Sequence, residues 1–534
     1  MMSMSRVGGV VAWVSVAVVA AGGCGDDIPS GGGDSTSGEE TGGPTTSVST
    51  SPTSGPGDAD ATAADDTRTT DATGDTGGGL MVDVQVHTYE RQPMVVDLAF
   101  AAPDLVANVV DSTDPGVHSA PIAGDPGETW VRVRGLAPAT LHELDFTVED
   151  ADGNTGAGQV DVQTEAPLSG FLPSFPAQGD STGLGGYILF DLLAFSPTAP
   201  ASLFLVDGDG TTRWHLGRDN ATLDPSIVYA GAHLRPDGTI LFLRDYTLSI
   251  LDELGDDVLS IDSMALGVPG LHHDVVELDN GNFLTMSFTF RDINYPGPGV
   301  TRVAGDLLLE ITPDAEIVWE WDSFDHLDPM RTLPGFEEVI VDPETGELAQ
   351  DWTHSNGLLY EADTDSVLLS IRHQDWMIRI DRASGDIVWR FGDEGDFTLL
   401  GGTWPHHQHS PQWQDDGSLL VYDNGFHDPA VDDALETSRA VRYSIDEMAM
   451  TVTQEWEDEA EDFLVPIAGD ADRLPDGTIL ITDSSIDFGI GMPYAQIRKV
   501  AERTPATPQW SFLTDVGTFV YRCVATDRLP GEAR

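Results

Sequence analysis

His273-Asp274-Val275-Val276-Glu277-Leu278-Asp279-Asn280-Gly281-Asn282-Phe283-Leu284 is the stretch from which the rest of the chain can be read. Two apolar runs flank a tight turn, and the glycine of that turn falls eight residues after His273. The same form returns at His409, eight residues before the glycine of Asp416-Gly417-Ser418-Leu419-Leu420. His354 opens a matching strand, Ser355-Asn356-Gly357-Leu358-Leu359-Tyr360, whose turn over 362–366 is longer and lacks the glycine. Two further copies carry small residues at the register position, Ala230 before Gly238 and Gly469 before Gly477. A unit of this kind, repeated irregularly, predicts a radial array of small sheets. Equivalent positions in such an array point at one shared axis. His273, His354 and His409 are therefore expected to meet, whereas histidines scattered by chance would keep no register.

From about residue 180 the unit recurs every roughly 40–60 residues. Each copy has a turn (Pro236-Asp237-Gly238, Asn280-Gly281, Asp416-Gly417, Pro475-Asp476-Gly477) and, in most, a later strand carrying tryptophan: Trp214, Trp319, Trp389, Trp456 or Trp510. The copies lie near 185–218, 228–262, 273–322, 354–394, 409–459 and 469–514. The predicted fold class is all-β, a six-bladed β-propeller over residues 175–525, with the tryptophans packing between blades. Residues 331–350 read as an inserted loop leading into His354. In a propeller the first strand of each blade lines the central channel, which places the three histidines at one mouth.

Residues 80–166 alternate differently: Val82, Val84 and Val86, then Val131 and Val133, then Leu144, Phe146 and Val148, with a turn at Asp152-Gly153-Asn154. Leu136-Ala137-Pro138-Ala139-Thr140-Leu141-His142 resembles the loop of fibronectin type III domains, in which a tyrosine usually stands where His142 is. A small fibronectin/Ig-like β-sandwich is expected here, with 167–176 as the linker out of it.

The first residues read as an export signal: Arg6, an apolar run from Val7 to Ala20, then Ala21-Gly22-Gly23-Cys24. The run is too short to span a membrane as a helix. Small residues before a cysteine resemble a bacterial lipobox, so residues 1–24 are expected to be a lipoprotein signal peptide and Cys24 the acylated mature N-terminus. Residues 25–79 are mostly Gly, Ser, Thr, Pro, Ala and Asp, and form a predicted disordered tether to the membrane. The protein is expected in the cell envelope, facing the periplasm or the outside. Cys523 is the one remaining cysteine and has no intramolecular partner once Cys24 carries lipid.

Ninety acidic residues against 25 basic ones give a formal charge of −65. Such a surface disfavours nucleic acid and repels anions, so an anion-using site needs its own concentrated positive charge. Lys499 is the only lysine and follows no glycine-rich run, which excludes a P-loop and its nucleotide chemistry. Arg372, in Leu368-Leu369-Ser370-Ile371-Arg372-His373-Gln374 on the second strand of the His354 unit, would supply the missing field. A salt bridge to a neighbouring blade is the other reading of the same position.

Several motifs in one order now resemble a known family. These are His272-His273-Asp274-Val275 with Asn280-Gly281-Asn282, Asp351-Trp352-Thr353-His354-Ser355-Asn356, Ser370-Ile371-Arg372-His373-Gln374 and Gly385-Asp386-Ile387-Val388-Trp389. Gln408-His409, Asp423-Asn424-Gly425 and Ser438-Arg439-Ala440-Val441 complete the set. Over roughly 180–525 the chain resembles the bacterial arylsulfate sulfotransferases. The resemblance implies transfer of a sulfuryl group from an aryl sulfate donor to a phenolic acceptor, without a nucleotide, cofactor or metal. It places the nucleophile, as a sulfohistidine intermediate in a ping-pong reaction, on His409. The assisting groups fall on His273, His354 and Arg372, with Asn356 and His272 toward the substrate, and it implies a homodimer. Some relatives carry a disulfide near the active site, for which this chain has no cysteine pair. His406 and His407 compete with His409 for the nucleophile.

Rival readings differ in one feature each. Three histidines at one mouth would hold zinc with an open fourth position, giving a metal-dependent hydrolase or lyase; Arg372 beside a dication opposes that. A quinoprotein dehydrogenase needs more copies of Gly385-Asp386-Ile387-Val388-Trp389 than the single good one present. Cys523-Val524-Ala525-Thr526 lacks the proline and arginine of a formylglycine sulfatase. A non-catalytic binding propeller leaves unexplained why three register positions are histidine where others are Ala230 and Gly469.

Overall fold

The glycines that mark the repeats stand where a side chain would strain the backbone. Gly238, Gly281, Gly417 and Gly477 have φ of 88°, 81°, 80° and 82°, a region that glycine enters without steric cost. The residue before each glycine accepts the N–H two positions on, as in Asn280 to Asn282 at 2.9 Å and Asp476 to Thr478 at 2.9 Å. That Asx contact is why Asn or Asp precedes the glycine.

The computed structural model describes residues 80–534 except 103, 125–127, 168–169, 171, 195–200, 218–228, 245, 334–337, 426–436, 459–462, 487–492 and 504–507. The expected signal peptide, Cys24 and the tether lie outside the described residues. Strands dominate; the helices described are single turns, Ser263–Leu266 and Ser323–His326, with a 3-10 turn at Arg372–Gln374. None of them is long enough to cross a membrane.

The N-terminal part pairs Asp83–Thr88, Val96–Ala101, Thr129–Arg134 and His118–Ile122 in one sheet. Leu105–Asp111, Leu141–Asp150 and Thr155–Gln163 form the other. The orders 1-2-5-4 and 3-6-7 are those of a constant-type Ig sandwich. Alternation along Leu141–Asp150 is strict, every second residue being buried. His142 turns its Nε2 to the Ala137 carbonyl at 2.9 Å. It thereby makes the upstream backbone hydrogen bond that a tyrosine hydroxyl makes in related sandwiches.

Among the described residues six sheets follow in chain order, antiparallel except where Leu348–Asp351 runs parallel to Gly299–Ile311 and Thr398–Gly401 to Thr451–Glu457. The two ends of this region close the array. Cys523–Thr526 pairs with Tyr187–Ala194 and completes the first sheet, while Gln178–Gly179 adds to Pro508–Leu513 of the last. Tryptophans tie neighbouring sheets: Trp214 donates to Glu253 O at 2.8 Å, Trp319 to Arg382 O at 3.1 Å, and Trp510 to Gly208 O at 2.7 Å across the closure. Closure through both termini and contacts between successive sheets are the construction of a β-propeller.

The inserted segment 331–350 carries two strands, Val339–Val341 and Leu348–Asp351, that extend the third sheet. They pair beyond Gly299–Ile311, half of a hairpin whose 13-residue strands are the longest described. The segment therefore covers the side of the array on which His354 emerges.

Candidate active site

His273 lies within the strand Leu271–Glu277, His354 one residue before Ser355–Glu361, and His409 at the head of His409–Trp413. The start of each strand is bulged against its neighbour; His273 falls within its bulge, whereas His409 still pairs with Tyr422 just ahead of its own. His273 and His354 adopt φ of 63° and 49°, a conformation costing a non-glycine residue about 1–3 kcal/mol. The surrounding sheets impose that strain exactly where side chains converge.

Convergence is real: the rings of His273 and His354 are 5.0 Å apart, and Tyr521 lies 5.8 Å from His273 and 6.3 Å from His409. Burial, reinforced by neighbouring charged groups, pushes the pKa of His273 and of His409 well below the usual value. His273, His354 and His409 differ in what holds Nδ1. His354 Nδ1 is 2.5 Å from Asp351 Oδ2. His273 Nδ1 is 2.7 Å from His272 Nδ1, and His272 Nε2 is 3.4 Å from Asp306 Oδ1. Burial alone would raise the Asp306 carboxyl, but His272 and the neighbouring hydroxyls hold it down to about 2. His409 Nδ1 instead meets an amide oxygen, Asn424 Oδ1, at 2.7 Å.

That last contact fixes a tautomer. Asn424 Nδ2 donates to the carbonyls of Val465 and Ala468, each at 2.7 Å, so Oδ1 must be the atom facing His409. An amide oxygen only accepts; Nδ1 therefore carries the proton and Nε2 the lone pair. The N–H of Ala468 donates to that lone pair, at 3.2 Å from Nε2.

Arg372 begins the 3-10 turn just after the strand Ser366–Ile371, one residue beyond the strand position read from sequence. It is buried and forms a salt bridge to the segment that extends the neighbouring sheet, the second of the two readings of its position. Glu338 Oε2 and Oε1 lie 3.0 and 3.2 Å from its two terminal nitrogens. Arg372 also bonds His373, whose Nδ1 is 2.6 Å from Asp351 O. Burial disfavours charge on His373, but Asp351 and Glu338 outweigh it and push its pKa up.

Asn356 is fully buried, and its Nδ2 donates to Gln408 O at 2.9 Å, tying the His354 and His409 segments together. His272 is stacked on Phe288 at 4.1 Å as well as bonded to His273. His407 is buried 5.7 Å from His373, and His406 lies toward Asp375.

Sequence reasoning missed several members. Asp351 stands three residues before His354, a spacing visible in the chain. Asn424, within Asp423-Asn424-Gly425, carries no sequence signal of its contact with His409. Arg522, a half-buried arginine at the same site, bonds Asp274 Oδ2 at 2.8 Å, Ser410 Oγ at 2.9 Å and Asn356 O at 3.1 Å. It sits just ahead of the closing strand, outside every repeat, so no register could reveal it. Glu338, Asp351, His354 and His373 also place ligand-type atoms within 4.8 Å of one another.

The arylsulfotransferase (ASST) family model matches residues 187–522, and the chain belongs to that family. It is 25% identical over 396 residues to the arylsulfate sulfotransferase AssT of Escherichia coli O6:H1 (strain CFT073), covering 61% of this chain and 62% of that protein. Identity to the AssT of Lelliottia amnigena is 23% over 380 residues, covering 59% and 62%. The chain thus matches 62% of the length of these curated relatives. Among solved structures, a Bacteroides caccae protein of unknown function is similar at a TM-score of 0.38 and 12% identity, over 63% of this chain and 99% of that one.

Proposed function

We propose that the protein is an arylsulfate sulfotransferase working by ping-pong transfer through a sulfohistidine on His409. The observation that carries this reading is the fixed tautomer of His409, with Nε2 as a lone-pair nitrogen. A neutral imidazole is a competent nucleophile, and its depressed pKa keeps it neutral at physiological pH.

In the first half-reaction Nε2 attacks the sulfur of an aryl sulfate. The N–S bond forms as the S–O(aryl) bond breaks, and the electron pair leaves on the phenolate oxygen. Phenol has a pKa of about 10, so the leaving group is tolerable, and a protonated histidine beside it supplies the proton. His354 suits that role because the Asp351 carboxylate on Nδ1 orients the ring and offsets the charge of an imidazolium. His273 is placed to share it, through His272 and Asp306. Arg372 holds the outer sulfuryl oxygens with its fork of donors. In the second half-reaction a phenolic acceptor loses its proton to the same base, its oxygen attacks sulfur, and His409 is released neutral. Asn356 and His272 line the substrate side in this reading.

Export as a Cys24-lipidated protein of the cell envelope, and assembly as a homodimer, belong to the same proposal. The test is to incubate purified protein with a chromogenic aryl sulfate, with and without a phenol, and without nucleotide. Phenol-stimulated release of chromophore is the expected result. No release under either condition would reject the proposal.

A further inference from the structure

Among the described residues one carboxylate stands where the proposed reaction requires a different anion. Glu338 spans the fork of Arg372, with one oxygen also 3.3 Å from His373 Nε2. Arg372 and His373 are 2% and 1% exposed at their side chains, whereas Glu338 is 28% exposed. The carboxylate therefore closes the solvent end of a buried cationic cradle. It comes from the inserted segment, held through its own carbonyl by the N–H of Asp351 at 3.0 Å.

The cradle is not filled by what it holds. Arg372 Nε is buried and has no hydrogen-bond partner among the described residues. A carboxylate brings two oxygens, both already engaged. A sulfuryl group brings outer oxygens of like charge on a tetrahedral centre, with one more acceptor for the unused N–H. A buried arginine with no counter-charge would be costly between turnovers.

We propose that Glu338 is an internal occupant of the sulfuryl-oxygen subsite formed by Arg372 and His373, which the donor displaces and which returns as the sulfated product leaves. The inference rests on the sulfotransferase reading of Arg372. No bond is made or broken by Glu338; one anion exchanges for another on the same donors. Two consequences follow for specificity. The donor competes with a tethered carboxylate, which raises the concentration of donor needed, and an uncharged phenol acceptor does not compete at all. Glu338 also limits product inhibition, because it can reoccupy the fork as soon as sulfur leaves it.

The alternative role is a permanent counter-ion that orients Arg372, and the two make opposite predictions. Inorganic sulfate titrated calorimetrically into the folded protein reads the subsite without any turnover. Glu338→Gln, which removes the charge at the same size, is expected to tighten sulfate binding by about tenfold or more, as expected when a charge-assisted competitor is lost. The KM for a chromogenic aryl sulfate should fall with it, while kcat falls through slower product release. Glu338→Asp, a second variant that withdraws the carboxylate by one methylene, should tighten sulfate binding to a smaller degree. Unchanged or weaker sulfate binding in both variants overturns the proposal. Tightened sulfate binding in a protein that transfers no sulfuryl group would reject the sulfotransferase reading and leave an anion subsite guarded by Glu338. Normal transfer with unaltered sulfate affinity would reject the guard alone.

Discussion

Asn424 presents its amide oxygen, not its nitrogen, to His409 Nδ1 at 2.7 Å, while Asp351 presents a carboxylate to His354 Nδ1 at 2.5 Å. An amide oxygen fixes the ring without adding charge, and a carboxylate fixes it while compensating an imidazolium. The difference separates a ring held without charge from one whose imidazolium would be compensated, among rings that sequence register alone makes equivalent.

Replacing that amide by its acid should blur the distinction. Burial, with Arg372 next, depresses the pKa of His409, so the acid limb of kcat/KM in the parent is expected below the unperturbed value of about 6.5. Asn424→Asp puts a negative charge on Nδ1 and raises the His409 pKa. A larger fraction of the ring is then protonated at neutral pH, so the rate falls. Activity at pH 7 should drop about tenfold for each unit by which the limb passes pH 7, and return toward higher pH. A pH–rate profile superimposable on the parent would show that Asn424 does not set the state of His409.

How far this site was legible in the chain depends on where each residue sits. The turn register brought His273 and His354 together because both ride on repeated hairpins, whose geometry is the same in every copy. The His409 partner Asn424 was harder to see, since its role depends on which way an amide is turned, and that is decided by the carbonyls of Val465 and Ala468 in a distant loop. Glu338 and Arg522 come from the insertion and from the closing segment, where no repeat supplies a register. Arg372 was placed on a strand, but the chain tightens into a 3-10 turn there, and the αL residue Asp375 ends it. The sandwich was readable down to one side chain: His142 stands at the tyrosine position and makes the corresponding hydrogen bond.

Turnover is expected to be independent of metal. Glu338, Asp351, His354 and His373 bring ligand-type atoms within 4.8 Å of one another, but the Arg372 guanidinium already holds Glu338 at 3.0 Å. A divalent cation there would face a fixed positive charge inside a buried site. Dialysis against a strong chelator, followed by elemental analysis and assay, should leave the rate unchanged. A stoichiometric transition metal whose removal abolishes turnover would make these residues ligands and replace the sulfohistidine mechanism.

Membrane attachment is expected to depend on Cys24. The apolar run ending in Ala21-Gly22-Gly23-Cys24, followed by 55 residues (25–79) without apolar periodicity, is the basis for a lipid anchor and tether. Cys24→Ala should move the folded protein from the membrane to the soluble fraction on cell fractionation. A variant that pellets with membranes as completely as the parent would remove the anchor.

The covalent step is the most exposed part of the mechanism. Incubation with donor alone should add one sulfuryl group to the peptide containing His409, seen by mass spectrometry under gentle conditions, with phenol released before any acceptor binds. His409→Ala should abolish the adduct, since it removes the ring whose Nδ1 is held by the Asn424 amide oxygen and whose Nε2 keeps the lone pair. Arg372→Ala should instead slow adduct formation by about 10²–10³-fold, the usual cost of one preorganised donor to developing charge, while the nucleophile remains. An adduct on the buried His407 or on His406 would keep the chemistry and move the nucleophile two or three residues along the same segment. Full turnover without His409 would leave the fixed tautomer with no catalytic meaning.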